Sequence, residues 1–286
     1  MSEQTFHGII WLASYPKSGN TWLRAFLANY LQNRTEPVPI NELVNFTLGD
    51  GYVIHYERLS GRPVEEMSQQ ELARLRPQVH QWMATAKGQT VFVKTHNLIG
   101  QAEGTALITP QATVGAIYLL RNPLDVAVSY AHHFRVSQDE AIDVLCAPDK
   151  VLPGTARALP HYLGSWRQHV LSWCRAPGLE PLVLRYEDLL SRPSETFGAI
   201  SRFLQMPEEP ERLARAIRFS AFEELAGQEQ AESFRELPKG APSAFFRAGQ
   251  AEAWREILSD AQIARLVEAN RDVMTQFGYL DDQGRP

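Results

Sequence analysis

The residues best suited to chemistry lie in four short polar groups: Tyr15-Pro16-Lys17-Ser18-Gly19-Asn20-Thr21-Trp22, Lys94-Thr95-His96, Arg121 with Ser129, and Arg185-Tyr186-Glu187-Asp188. In the first group Lys17 offers a point charge and Ser18 and Thr21 offer hydroxyl donors. Gly19 lets backbone approach an oxygen closely. If this segment turns from a strand into a helix, its backbone N–H groups and the helix dipole face an anion. The competing reading is an ordinary β–α connection in which Ser18 or Asn20 caps the helix. The octapeptide differs from the nucleoside-triphosphate loop GxxxxGK[ST], because Lys17 precedes Gly19 and no earlier glycine stands in register. No strand ends in an obvious Mg²⁺-holding aspartate, Asp188 coming nearest. His96 suits a general base, since an imidazole titrates near ~6.5; for a lone histidine the alternative is a structural cap on a strand.

The elements that must position these groups follow from the apolar runs. Gly8–Ser14 reads as a buried strand, and Thr21–Leu31, with Trp22, Leu23, Phe26, Leu27, Tyr30 and Leu31, as a helix pressed on a sheet. Thr90–Val93, Ala116–Leu120 and Leu182–Leu184 read as further short strands, and Pro123 starts a helix through about Phe134. Short β-rich runs of this kind suit central parallel strands. Each is followed by polar residues at its C-terminal end, where open α/β sheets bind ligands. The prediction is one α/β domain over residues 1–286. Three stretches look peripheral: 34–76, with weak helical signals, 137–160, and 228–247, which reads as mobile.

Composition narrows the function. The chain has 286 residues with 44% hydrophobic and 21% charged, ordinary for a globular protein. Its 28 Lys+Arg against 33 Asp+Glu speak against a nucleic-acid binder but not against an anionic small ligand. Cys146 and Cys174 form no CxxC, which suits a reduced setting. No signal-peptide pattern or apolar run of membrane-spanning length is present, so the expected location is cytoplasmic.

Taken together, the motifs resemble the cytosolic-type sulfotransferases that use 3′-phosphoadenosine-5′-phosphosulfate (PAPS), in particular bacterial members acting on small molecules. YPKSGNTW resembles that family's 5′-phosphosulfate loop, KTH at Lys94–His96 its catalytic strand end, and LLRNPLDVAVSY at Leu119–Tyr130 its 3′-phosphate segment. LRYEDL at Leu184–Leu189, FSAFEEL at Phe219–Leu225 and FFRAGQAEAW at Phe245–Trp254 resemble later cofactor-contacting stretches, and the similarity spans roughly 8–278. The resemblance implies a three-layer α/β sandwich, P-loop-nucleotide-hydrolase-like, with the phosphosulfate loop after the first strand.

It also implies roles. His96 takes the acceptor's proton, Lys17 stabilises the leaving oxygen and Lys94 holds the sulfuryl oxygens, without a metal. Lys17, Ser18, Gly19, Asn20 and Thr21 hold the 5′-phosphosulfate. Arg121 and Ser129 clamp the 3′-phosphate, and Arg247, with the backbone of Ala248 and Gly249, closes over it. Trp22 and Phe222 stack on adenine, with Tyr186 and Ser220 as polar contacts. Trp254 reads as packing. The product is adenosine 3′,5′-bisphosphate. The chain departs from the family pattern at Ala248, usually Lys, and at Glu252 and Ala253, usually Gly and Asp or Asn. The family's dimerisation motif is not recognisable, so monomer and dimer stay open.

The alternative is a nucleotide-dependent kinase or NTPase on a related scaffold; a non-catalytic nucleotide-binding module fits less well with Lys17, Lys94 and His96 all present. The acceptor is expected to be a small molecule with a hydroxyl or amine, its body aromatic or lipid-like, met by Phe46, Tyr52, His55, Tyr56 and Phe234 in the peripheral stretches.

Overall fold

Ile9-Ile10-Trp11-Leu12-Ala13-Ser14 is buried at every position, so it belongs in the middle of a sheet covered on both faces. The computed structural model, which describes residues 8–86, 88–236, 245–246 and 249–286, places it there. Strands β1 (Ile9–Ser14), β2 (Leu48–Gly49), β3 (Val91–Thr95), β4 (Thr113–Leu120) and β5 (Leu182–Arg185) form a sheet of order β2-β3-β1-β4-β5. Every neighbouring pair is parallel. The C-terminal ends of all five strands therefore share one edge.

Alternation along the strands separates two cores. Ile9, Trp11 and Ala13 join Val91, Val93, Ala116, Tyr118 and Leu120 in one, against helices that include Gln69–Thr85, Pro123–Phe134, Trp166–Cys174 and Asp260–Gln276. Ile10 and Leu12 join Ile117, Leu119 and Leu184 in the other, against helices Asn20–Gln32, Pro193–Phe203 and Pro210–Phe219. These are the three layers of an α/β sandwich. We name Asn20–Gln32 α1, Pro123–Phe134 α2 and Phe222–Glu232 α3.

Two features differ from the sequence expectation. Leu48–Gly49 adds a fifth strand inside the stretch read as weakly helical; two residues are too short to show a periodicity. β3 runs on to Thr95, so Lys94 lies within the strand and only His96 beyond it. Pleating then puts Lys94 on the side of Phe92, towards α1, and Val93 on the other.

The segment that carries His96 is anchored from beneath. The wholly buried Asp50 accepts hydrogen bonds through Oδ2 from Thr95 Oγ1 at 2.9 Å and Asn97 Nδ2 at 2.8 Å, with Arg76 at 3.8 Å. Asn97 Oδ1 accepts from the Tyr162 amide at 2.7 Å, and Trp173 Nε1 donates to the Asn97 carbonyl at 3.0 Å. Asp50→Ala leaves a buried guanidinium without its counter-charge and two polar groups unpaired. It is expected to cost about 3–5 kcal/mol, measured as a lowered urea midpoint at unchanged slope.

Candidate active site

The loop after β1 makes a tight turn, with the Ser18 amide donating to the Tyr15 carbonyl at 3.3 Å, and enters α1 at Gly19. Gly19 has φ +98°, and a Cβ there would stand 2.7 Å from Cδ2 of Tyr186, so both conformation and space require glycine. No side chain caps this end, so the first amides of α1 have no side-chain acceptor, as at helix starts that suit an anion. Lys17 adopts a left-handed φ of +70°, a strained conformation of the kind found at ligand clamps.

The loop borders a cleft of about 580 Å³ at the C-terminal edge of the sheet. Its walls include Lys17, Gly19, Asn20, Thr21, Trp22, Lys94, His96, Arg121, Ser129, Tyr186, Phe222 and Gly249. Most of the residues singled out from sequence thus meet in one place. Arg121 leaves β4 and donates from one terminal nitrogen to the Lys17 carbonyl and from the other to the Gln250 carbonyl, both at 3.1 Å. Its guanidinium lies 4.2 Å over the Tyr186 ring, which meets Trp22 edge-on at 5.4 Å. Asn122 caps α2 by accepting from the Leu124 amide, with Pro123 in the first turn. That helix carries Ser129 to the wall.

His96 is fixed from two sides. Its Nδ1–H donates to the Ser14 carbonyl at 2.8 Å. Behind it, His169 Nε2–H donates to the His96 carbonyl at 3.1 Å, while His169 Nδ1 accepts from Tyr118 Oη at 2.8 Å. Since a carbonyl only accepts, the neutral imidazole of His96 carries its hydrogen on Nδ1 and its lone pair on Nε2. Burial, then Lys94 and His161, hold the His96 pKa well below the ordinary imidazole range. The ring is therefore unprotonated and able to take a proton.

Several residues stand elsewhere than expected. Ser220 does not reach the cleft wall: it is fully buried, and its hydroxyl donates back to the Ala216 carbonyl at 2.9 Å, closing the helix end. Ser18 is also buried, and among the described residues its Oγ has no hydrogen-bond partner; Nε of Arg121 shares that condition. Arg247 and Ala248 lie outside the described residues. Phe46, Tyr52, His55, Tyr56 and Phe234 do not line the cleft. Tyr56 is wholly buried, His55 packs on Trp82 at 5.3 Å, Tyr52 lies against Gly49, Phe46 stacks on Phe92, and Phe234 packs beneath Phe245. They fill the layers behind the wall. The apolar end of the cleft is instead made by Phe134, Leu152, Leu159, Phe245 and Phe246, with His161.

Other members of the site escaped sequence reasoning. His133 stands four residues after Ser129, one turn further along the same face of α2, and accepts from Lys17 Nζ at 3.2 Å. Burial first, then Lys17, bring the His133 pKa down to about 4. Asp125 accepts from the amides of Glu252 at 2.8 Å and Trp254 at 3.3 Å, holding the C-terminal loop against α2. Glu252 has φ +65°, so a side chain sits in the backbone conformation that glycine prefers. No grouping of His, Cys, Asp or Glu able to hold a metal ion occurs among the described residues.

Known proteins are similar in sequence and fold. Residues 8–278 match the model of the sulfotransferase domain. Among curated proteins, the chain is 27% identical to cytosolic sulfotransferase 15 of Arabidopsis thaliana, covering 92% of this chain and 71% of that protein. It is 28% identical to sulfotransferase 1B1 of Mus musculus, covering 91% and 80%. Its fold is similar to that of a mouse sulfotransferase, SULT7A1, solved with PAP (TM-score 0.60, 19% identity, 98% and 88% covered). A retinol dehydratase solved with androsterone and PAP is similarly placed (TM-score 0.61, 20% identity, 93% and 80% covered). The chain belongs to the sulfotransferase domain family, and it is a sulfotransferase. No helix among the described residues is long and apolar enough to cross a membrane.

The depressed His96 pKa has a direct signature. Histidine ¹⁵N spectra are expected to show His96 as the neutral Nδ1–H form at pH 6.5, where an unperturbed imidazole is about half charged.

Proposed function

We propose that the enzyme transfers the sulfuryl group of PAPS to a hydroxyl or amine of a small molecule, with His96 as general base. The observation that carries this reading is the convergence of Lys17, Lys94, His96, Arg121 and Ser129 on one cleft, from separate parts of the chain. At the cleft wall the buried Nε of Arg121 has no hydrogen-bond partner among the described residues. A buried donor demands an acceptor, and a phosphate oxygen would supply one. The mouse sulfotransferase and the retinol dehydratase both hold PAP, which supports the same donor here.

The donor supplies a sulfuryl group already joined to a phosphate leaving group, so the protein's task is positioning and charge. Asn20, Thr21 and the first amides of α1 receive the 5′ end. Lys17 provides the cation for the oxygen that leaves. Lys94 provides the cation for the sulfuryl oxygens. His96 Nε2 accepts the proton that the acceptor loses, becoming imidazolium while its Nδ1–H stays on the Ser14 carbonyl. Arg121 and Ser129 hold the 3′-phosphate, with Arg247 and the backbone of Ala248 and Gly249 closing from the C-terminal loop. Trp22, Phe222 and Tyr186 take the adenine. A Cβ on Gly249 would lie 2.4 Å from the Phe222 ring, so that loop and that ring are fitted to each other.

The acceptor end joins aromatic and aliphatic side chains to the neutral imidazoles of His133 and His161, a lining suited to an aromatic or lipid-like body. One domain over residues 1–286 and a cytoplasmic location complete the proposal. Membership of the sulfotransferase family disfavours the kinase or NTPase alternative.

Three measurements test this reading. Calorimetry should show adenosine 3′,5′-bisphosphate binding without Mg²⁺; binding of ATP alone, dependent on Mg²⁺, would return the alternative. His96→Ala should lower single-turnover transfer from PAPS by about 10²–10⁴-fold with nucleotide affinity retained, and normal transfer would remove His96 as the base. Arg121→Ala should weaken adenosine 3′,5′-bisphosphate at least tenfold, about 1.4 kcal/mol, and adenosine 5′-phosphate far less.

A further inference from the structure

Buried charge without a role so far is concentrated where α1, β3 and the end of the segment after α3 meet. Arg24, on α1, is 1% exposed. Its terminal nitrogens reach Glu236 Oε2 at 2.9 Å and Oε1 at 2.7 Å, and its Nε donates to Thr47 Oγ1 at 2.7 Å. Glu236 Oε2 also accepts from Lys94 Nζ at 3.4 Å. We propose that Glu236, clamped by Arg24, is a positioning residue for Lys94, fixing its ammonium at the cleft wall. The inference rests on the role proposed above for Lys94.

Geometry supplies the first argument. A lysine side chain is a flexible stem ending in a point charge, whereas a guanidinium holds a carboxylate in a planar fork. Arg24 therefore sets where Glu236 Oε2 lies, and that oxygen sets where Nζ lies. Arg24 also follows Thr21 by less than one helical turn, which registers Lys94 against the phosphate loop. A buried guanidinium without a counter-charge is strongly unfavourable, so the clamp is built into the folded state.

Charge supplies the second. Burial works against the Lys94 ammonium and Arg24 adds to that, while Glu236 and more weakly Asp50 oppose them; the outcome is a pKa below the ordinary lysine value. Burial also works against the Glu236 carboxylate, but Lys94 and Arg24 outweigh it and bring its pKa down to about 2, so it stays ionised. The other groups facing Lys94 are His96, His133 and His161, all with pKa values lowered chiefly by burial. Tyr52 faces Glu236 and has a raised pKa, and Lys17 belongs to the same cleft. None of these replaces the negative charge of Glu236. Removing it must lower the Lys94 pKa further, so the ammonium is lost at a lower pH.

The chain has only five lysines, Lys17, Lys87, Lys94, Lys150 and Lys239, so protein labelled with ¹³Cε-lysine gives a spectrum that Lys94→Arg can assign. In Glu236→Gln the Lys94 signal is expected to titrate about one pH unit or more below the wild type. The alkaline limb of kcat should move with it, and kcat below that limb should fall because the ammonium loses its fixed place, while PAP affinity stays within about twofold (~0.4 kcal/mol). Lys94→Arg in the Glu236→Gln background should remove the limb, since arginine stays charged. An unmoved Lys94 titration overturns the proposal, as does a kcat–pH profile unchanged from the wild type. If Glu236→Gln does not fold, Arg24→Met with Glu236→Gln removes both charges. Lys94 must still titrate below the wild type there, because Glu236 is the charge that touches Nζ directly; a wild-type titration overturns the proposal. A wild-type protein that transfers no sulfuryl group overturns the proposed function instead, and the lysine titration still judges this inference.

Discussion

The carbonyl of Ser14 ends the central strand, and a carbonyl can only accept, so its hydrogen bond with His96 Nδ1 decides which nitrogen of that ring faces the chemistry. The bond exists because β1 and β3 are parallel neighbours with Ala13 opposite Thr95, which makes the next residues of each strand meet just past the sheet. Everything around this point reinforces it. Asn20, the first residue of α1, donates to the Leu12 carbonyl and to Ser14 Oγ, so the phosphate loop and the base are held by the same strand end. Asp50 anchors Thr95 and Asn97 from beneath, and the Tyr118–His169 pair holds the His96 carbonyl from behind. The loop and the ring proposed to hold the anion and take the proton are thus fixed relative to each other by one strand pairing.

The same parallel pairing concentrates positive charge. Strand ends that point one way bring Lys17, Lys94 and Arg121 to a single cleft in a protein of net charge −5. Gathering cations in a poorly solvated place is unfavourable on its own. The structure offsets this locally, with Glu236 for Lys94, a neutral imidazole for Lys17, and carbonyls together with the Tyr186 ring for Arg121.

How much of this the sequence displayed depends on whether a feature is local. The β1 loop, the strand end at His96 and the Pro123 helix start are continuous stretches whose residue types carry their own instructions, and each emerged with boundaries good to a few residues. Leu48–Gly49 was invisible because two residues have no period. Arg24 and Glu236 are far apart in the chain, and an arginine in an amphipathic helix ordinarily reads as solvated; only the fold shows it 1% exposed. Ser220 was placed by motif likeness alone, and its hydroxyl serves the helix end instead. His133 did carry a signal in its spacing from Ser129, but a histidine pair in a helix looks the same whether it faces a cleft or solvent.

The two ends of the cleft differ in the same way. The end proposed for the nucleotide is made where strands stop, so topology dictates it and short motifs mark it. The apolar end is made by Phe134 and by the segments around Leu152–Leu159 and Phe245–Phe246, whose composition alone does not say which side chains face inward. Aromatics in the 46–56 stretch looked equally suited to an acceptor, yet they pack behind the wall because the chain there completes the sheet edge through Leu48–Gly49. Glu252 belongs to the same logic. It stands where the resembled family usually has glycine and adopts the left-handed conformation anyway, at a cost of about 1 kcal/mol or more. That conformation persists because Asp125 takes the amides of Glu252 and Trp254 and because Arg255 binds the Glu252 carboxylate at 3.1 Å. The loop's course is therefore set by its docking on α2, and this lets a residue ill suited to the turn occupy it.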